Sequence, residues 1–219
     1  MVLAAALGVS ACGGAATPRQ TTVMSLSNLD CATCGEDLAR AVIQEDGVYK
    51  TAFDRRRVEL TVVAAPRVSA LALALRRRPA KEDFGILPGP GQGSYVAWAK
   101  APEGADVREI AKGGEDVPAL APHLAAGKVT VFDFSATWCE PCRKLDEHVL
   151  AIVAARRDVA YRKLDVGDWD TPLGLRYLKG VKELPYVLIF DAKGQRVEAM
   201  SGLDLGRFDR ALEKATEAR

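Results

Sequence analysis

Val131-Phe132-Asp133-Phe134-Ser135-Ala136-Thr137-Trp138-Cys139-Glu140-Pro141-Cys142 is the stretch that decides the fold. Val129 to Phe134 is an apolar run broken only by Thr130 and Asp133, the composition of a buried central strand. A helix follows from about Cys139, with Leu145, Val149, Ile152 and Val153 on one face. A strand therefore hands two cysteines, spaced C-x-x-C, to a helix N-terminus. There, unpaired N–H groups and the helix dipole favour an anion. A thiolate is the nucleophile in disulfide exchange, so Cys139 is the candidate attacking sulfur. Cys142, one turn further in, is the candidate resolving sulfur. Pro141 fits the first turn, where its missing N–H costs no hydrogen bond.

Working outward, strands are expected at Val107–Ala111, Tyr161–Val166, Tyr186–Phe190 and Val197–Met200. Helices are expected at Val117–Ala125, around Leu173–Leu178, and over Phe208–Ala218. Strands alternating with helices give an α/β domain over residues 105–219. Upstream, Thr21–Leu29 reads as a strand, Gly35–Glu45 as a helix, and Val48–Asp54 and Val58–Val63 as strands. Arg67–Arg77 reads as a helix carrying Val68, Leu71 and Leu75, with Tyr95–Ala99 as a closing strand after the turns of Pro88–Gly93. That β-α-β-β-α-β order predicts a ferredoxin-like α+β domain over residues 21–101, and Pro102-Glu103-Gly104 marks the boundary.

The C-terminal stretch resembles the thioredoxin-like oxidoreductases. Trp138 precedes the first cysteine, and Asp133 lies six residues before it. Lys163 stands in Tyr161-Arg162-Lys163-Leu164-Asp165, Leu184-Pro185 matches the cis-proline loop, and Gly202 lies near the end of the last strand. The context is also similar to the C-terminal domain of periplasmic electron-transfer reductases. The resemblance implies a thioredoxin fold and a redox-active Cys139/Cys142 pair needing no cofactor. It also implies a buried Asp133 that takes a proton from Cys142, with Lys163 tuning it, and a substrate groove shaped by Trp138 and Pro185. Protein disulfides or dithiols are the implied substrates, and a membrane or soluble thiol the electron donor. Glu140 replaces the glycine common in that family. A carboxylate beside the thiolate disfavours the anion and predicts a more reducing disulfide. Alternatives stay open: a structural disulfide, a metal site adding His148, or an Asp133 that is buried without relaying protons. His148 is expected to be exposed, and neither it nor His123 has a partner legible in the sequence.

Asn28-Leu29-Asp30-Cys31-Ala32-Thr33-Cys34, opening a helix, resembles the heavy-metal-associated domain of copper chaperones and metal-pumping ATPases; Gly47-Val48 adds to the likeness. Two thiolates at such a junction suit a soft, low-coordinate ion. The resemblance implies metal binding at Cys31 and Cys34, with Asp30 as a further ligand, for copper, zinc, cadmium, lead or mercury. A redox-active or structural Cys31–Cys34 disulfide and an inactive site are the alternatives. A wider alternative is a periplasmic metal-binding protein or chaperone in which both C-x-x-C pairs are ligands. With both motifs on one chain, the C-terminal dithiol is also expected to keep Cys31/Cys34 reduced.

The first twenty residues point to an export signal and tether. Val2–Val9 is too short to span a bilayer but suits a signal-peptide core. Val9-Ser10-Ala11-Cys12 resembles the lipobox of bacterial lipoproteins, which implies lipidation of Cys12 and an anchor in the cell envelope facing the periplasm, or secretion. Cys12 then accounts for the fifth, unpaired cysteine among five. The 219 residues carry a formal charge of +1 and no aromatics interleaved with basic residues, so nucleic-acid binding is not expected.

Overall fold

The computed structural model describes residues 18–218. Cys12 and the signal-like segment lie outside them. Two sheets organise the chain. The first is built from β1 (Gln20–Ser27), β2 (Val48–Asp54), β3 (Glu59–Ala64) and β4 (Gly85–Pro88). Its order is β2-β3-β1-β4, with every pair antiparallel. Helices α1 (Ala32–Val42) and α2 (Ala70–Arg77) bury Leu38, Val42 and Ala74 against Met24, Leu26, Leu60 and Val62 of the sheet. This is the ferredoxin-like order expected from the sequence.

Local details differ. The closing strand is Gly85–Pro88, which pairs with β1, whereas Tyr95 makes only an isolated bridge to Leu29. Gly89 and Gly91, at φ 83° and 86°, turn the chain out of the sheet before it reaches Tyr95. Helix α1 starts at Ala32, three residues earlier than expected, with Cys31 as its N-cap. Helix α2 starts at Ala70 because the Ser69 hydroxyl caps it, accepting from the Ala72 N–H. Of the residues expected on its core face, Val68 and Leu71 pack against the core beside Ala70 and Ala74, whereas Leu75 is exposed at 51%.

The second sheet comprises β5 (Val107–Lys112), β6 (Val129–Ser135), β7 (Val159–Asp165), β8 (Tyr186–Phe190) and β9 (Arg196–Ser201). Its order is β5-β7-β6-β8-β9; β5, β7 and β6 are parallel, and β8 and β9 antiparallel. All seven residues of β6 are buried. Val129 and Val131 pack with Leu145 and Val149 of α3 (Glu140–Ala155) and Phe208 of α5 (Leu205–Glu217). Phe132 and Phe134 pack on the other face with Leu173 of α4 (Pro172–Tyr177). The helix expected over Val117–Ala125 is reduced to a 3-10 turn at Ala121–His123. Pro118 and Pro122 withhold N–H donors and disfavour helical geometry at the residues before them. No helix among the described residues is long and apolar enough to cross a membrane.

Candidate active site

Cys139 caps the N-terminus of α3, with its Sγ accepting from the Cys142 N–H at 3.2 Å. The two sulfurs form a disulfide. Cys142 is fully buried and Cys139 nearly so, so Cys139 is the sulfur nearer the surface. It lines a cavity of about 340 Å³ together with Trp138, Glu140, Pro141, Trp169 and Leu184. The Trp138 indole N–H donates to the Gly167 carbonyl at 2.7 Å, fixing the ring beside the cavity. Leu184-Pro185 is a cis peptide, and the Pro185 carbonyl accepts from the Gly202 N–H at 2.9 Å. Gly202 has φ 78°, and a Cβ there would meet the Glu183 carboxylate at 2.5 Å, which accounts for glycine at that position.

Asp133 is completely buried. Its Oδ2 accepts from the Tyr161 hydroxyl at 2.7 Å, and its Oδ1 has no hydrogen-bond partner among the described residues. Burial pushes the carboxyl up to about 7, with nearby Asp146 adding to the rise and the Tyr161 hydrogen bond and Lys163 opposing it. The expected link to Lys163 is indirect. Lys163 Nζ pairs with Asp146 Oδ1 at 2.6 Å, and Tyr161 bridges the carboxylates by reaching Asp146 Oδ1 at 3.0 Å. Burial also raises Asp146 against the opposing pull of Lys163. The Tyr161 hydroxyl, buried between two acids, stays protonated far above the usual tyrosine range. Trp98, from the segment between the sheets, covers the Lys163 ammonium at 4.7 Å from its ring centroid.

Lys144, one turn along α3, pairs with the Glu140 carboxylate at 2.5 Å, a surface i,i+4 contact that lies partly in solvent. His148 is not a free exposed side chain; it bonds Asp209 at 2.6 Å and packs edge-on to Phe208. Nothing brings it to the cysteines.

The sequence pattern of the thioredoxin family matches residues 121–214. The chain is 35% identical over 95 residues to Thioredoxin H-type of Fagopyrum esculentum, covering 41% of this chain and 71% of that protein. It is 30% identical over 88 residues to thioredoxin of Pongo abelii, covering 40% and 80% respectively. The chain belongs to the thioredoxin family. With Thioredoxin H8 of Arabidopsis thaliana the identity is 29% over 91 residues, and the chain spans 59% of that protein's length. Thioredoxin f from spinach chloroplast, in its short form, aligns at 22% identity with a TM-score of 0.41, over 51% of this chain and 94% of that one. The thioredoxin domain is a thiol–disulfide oxidoreductase.

The thioredoxin domain does not stand apart from the N-terminal sheet. Cys31, Ala32, Thr33 and Glu36 of α1 and its cap line the same cavity as Cys139. The Ala32 N–H donates to the Trp138 carbonyl at 3.2 Å. Arg143, one residue after Cys142, donates to both the carbonyl and the carboxylate of Asp30. Arg55 lies over the Trp138 ring at 5.3 Å, and Arg55 and Arg56 pair with Asp168 at 3.7 Å. None of these cross-domain contacts is legible in either motif alone. Arg55 and Arg56 belong to a basic run that composition alone makes a solvated turn.

Cys31 and Cys34 are thiols. Cys31 is half-buried, with its Sγ 2.9 Å from the Thr33 hydroxyl. Cys34 is buried, and its thiol donates to Glu82 at 3.6 Å. Burial, then the Cys31 hydrogen bond, push the Cys34 thiol up to about 12. The Asp30 carboxylate is held by Arg143 through its Oδ1. Among the described residues, no group of three His, Cys, Asp or Glu side chains is placed to hold a metal ion. As donors to a soft cation, the residues present fit only a two-sulfur arrangement.

Proposed function

We propose that the chain reduces protein disulfides in the bacterial cell envelope, with Cys139 as the attacking thiolate. The observation that carries this reading is the Cys139–Cys142 disulfide at the N-terminus of α3, with Cys139 on the cavity and Cys142 behind it. In the reduced state, the Cys142 N–H and the helix dipole favour negative charge at Cys139. Cys139 attacks a substrate disulfide and forms a mixed disulfide. Cys142 gives its proton to Asp133 and attacks Cys139, releasing the reduced substrate. A carboxyl held near 7 is matched to that task at neutral pH. Lys163 acts through Asp146 and Tyr161 as a positioning residue, and Trp138 and Pro185 shape the groove. A soluble or membrane thiol donor returns the electrons.

Envelope location rests on the lipobox-like Val9-Ser10-Ala11-Cys12, with lipidation at Cys12 anchoring the chain to a membrane. A second reading of the N-terminal module, binding of a soft metal ion, rests on the Cys31/Cys34 sulfurs as a two-donor site. The test of the central reading is insulin reduction with dithiothreitol as donor. The chain accelerates precipitation of the insulin B chain, and Cys139→Ser abolishes the acceleration. A Cys139→Ser chain as active as the parent would overturn the assignment.

A further inference from the structure

Two helix N-termini face one another across the cavity, and each presents a C-x-x-C pair. The pairs are built alike. Cys31 caps α1 and Cys139 caps α3, and both line the cavity. Cys34 and Cys142 each lie one turn in, buried. Glu82 accepts from the Cys34 thiol, and the buried Asp133 lies on β6, the strand that leads into Cys139. The register is held from both sides, by the Ala32 N–H on the Trp138 carbonyl and by Arg143 on Asp30. Arg143 is only 7% exposed, and it reaches out to the half-exposed Asp30 carboxylate and to the Asp30 carbonyl.

We propose that Cys31/Cys34 is the resident exchange partner of Cys139/Cys142, the two pairs trading electrons within one chain through a Cys31–Cys139 mixed disulfide. This rests on the oxidoreductase reading above and names a substrate for it. Starting from the state described, the Cys31 thiolate attacks Cys139 Sγ. The Cys31–Cys139 bond forms, the Cys139–Cys142 bond breaks, and Cys142 leaves as a thiolate that takes the proton held by Asp133. Cys34 passes its proton to Glu82 and attacks Cys31 Sγ. The Cys31–Cys34 bond forms and Cys139 leaves as a thiolate. Two electrons have moved from the N-terminal pair to the C-terminal pair, with no outside oxidant or reductant. The same steps run in reverse. External thiols and disulfides set the direction, and the geometry sets the contact. Cys31 is the sulfur that exchanges because it lines the cavity, whereas Cys34 is buried among Leu38, Leu60 and their neighbours.

The test traps the mixed disulfide in the full chain carrying Cys12→Ser, so that only the four cysteines of the two pairs remain. Two variants are used: Cys142→Ser, oxidised with one equivalent of diamide after full reduction, and Cys34→Ser, prepared with Cys139–Cys142 oxidised. Each is quenched with acid and its disulfides mapped by peptide mass spectrometry. In the Cys142→Ser chain the expected result is loss of the Cys139 thiol into a Cys31–Cys139 link as the main monomeric species, in a proportion unchanged by dilution. In the Cys34→Ser chain it is a fraction of the same link with a matching release of the Cys142 thiol. The intramolecular link in either chain supports the proposal; its absence from both overturns it, as does linkage of Cys139 to Cys34 in the Cys142→Ser chain. Insulin reduction by the unsubstituted chain separates the two readings. If insulin is reduced and the internal link is absent, the internal exchange alone is wrong. If insulin is not reduced, the general reading fails, whatever the mapping shows.

Discussion

Asp133 shows how much one buried residue decides. A carboxyl with no charged partner in direct contact lies in the all-buried strand β6, and desolvation lifts it from 3.8 to about 7. Its folded value is raised, so the folded chain holds this proton more tightly than the unfolded chain does. The stability this provides is complete below the unfolded value and drains away as pH climbs toward the folded one. Asp133→Asn removes the titration. Relative to the parent, the variant gains stability by a few kcal/mol as pH rises from about 4 to about 8, and the difference levels off above that. Urea unfolding at three pH values measures it, and a difference that does not change with pH contradicts the assignment. The Asp133 position was legible from the sequence, and so was its burial. Its wiring was not. Lys163 follows Asp133 in the motif, yet it pairs with Asp146, which lies on α3, and only Tyr161 joins the two acids. Such a link depends on how a helix rotates over a sheet, and spacing along the chain does not encode that rotation.

Among elements, α1 and α3 carry the chemistry, and what holds them differs. The capping and periodicity of α3 were readable because β6 and the helix that follows are continuous in sequence. Helix α1 begins three residues before the start its sequence suggests, since Gly35 and the acidic pair after it look like a helix start. The glycine has another purpose: a Cβ there would sit 2.5 Å from the Phe53 ring of β2. It lets α1 close on the sheet and so sets the height of Cys31 over the cavity. Gly35→Ala forces α1 or Phe53 to shift, and overpacking of this kind costs about 1–3 kcal/mol. The expected outcome is a lowered melting temperature together with weaker Cys31–Cys139 trapping in the Cys142→Ser background. A chain as stable as its parent contradicts the close approach. The missed closing strand and the shortened 3-10 turn have a common cause. Tyr95–Ala99 and Val117–Ala125 have suitable apolar content. Turning glycines ahead of the first and two prolines within the second remove the backbone geometry each would need.

Across the whole molecule, the two domains meet on their functional edges. The sequence announces each motif and is silent on their meeting. The contacts that join them come from Asp30, which the sequence offers only as a metal ligand, and from Arg55, Arg56, Arg143 and Asp168, whose types mark them only as surface charges. Their effect is to seat the start of α1 beside the Cys139 cavity. The chain then carries its own thiol pair at the mouth of its redox centre. The claim beneath all of this is that Cys139–Cys142 is a working redox couple and not a structural clasp. The most direct measurement is a titration of the full chain in dithiothreitol buffers, with Cys139 and Cys142 quantified by alkylation and mass spectrometry. The account predicts reversible, joint conversion of the two thiols to one disulfide, following a two-electron curve of about 30 mV per tenfold change. A pair that stays oxidised at every dithiothreitol ratio while the fold is intact, or two cysteines that convert independently, would contradict it.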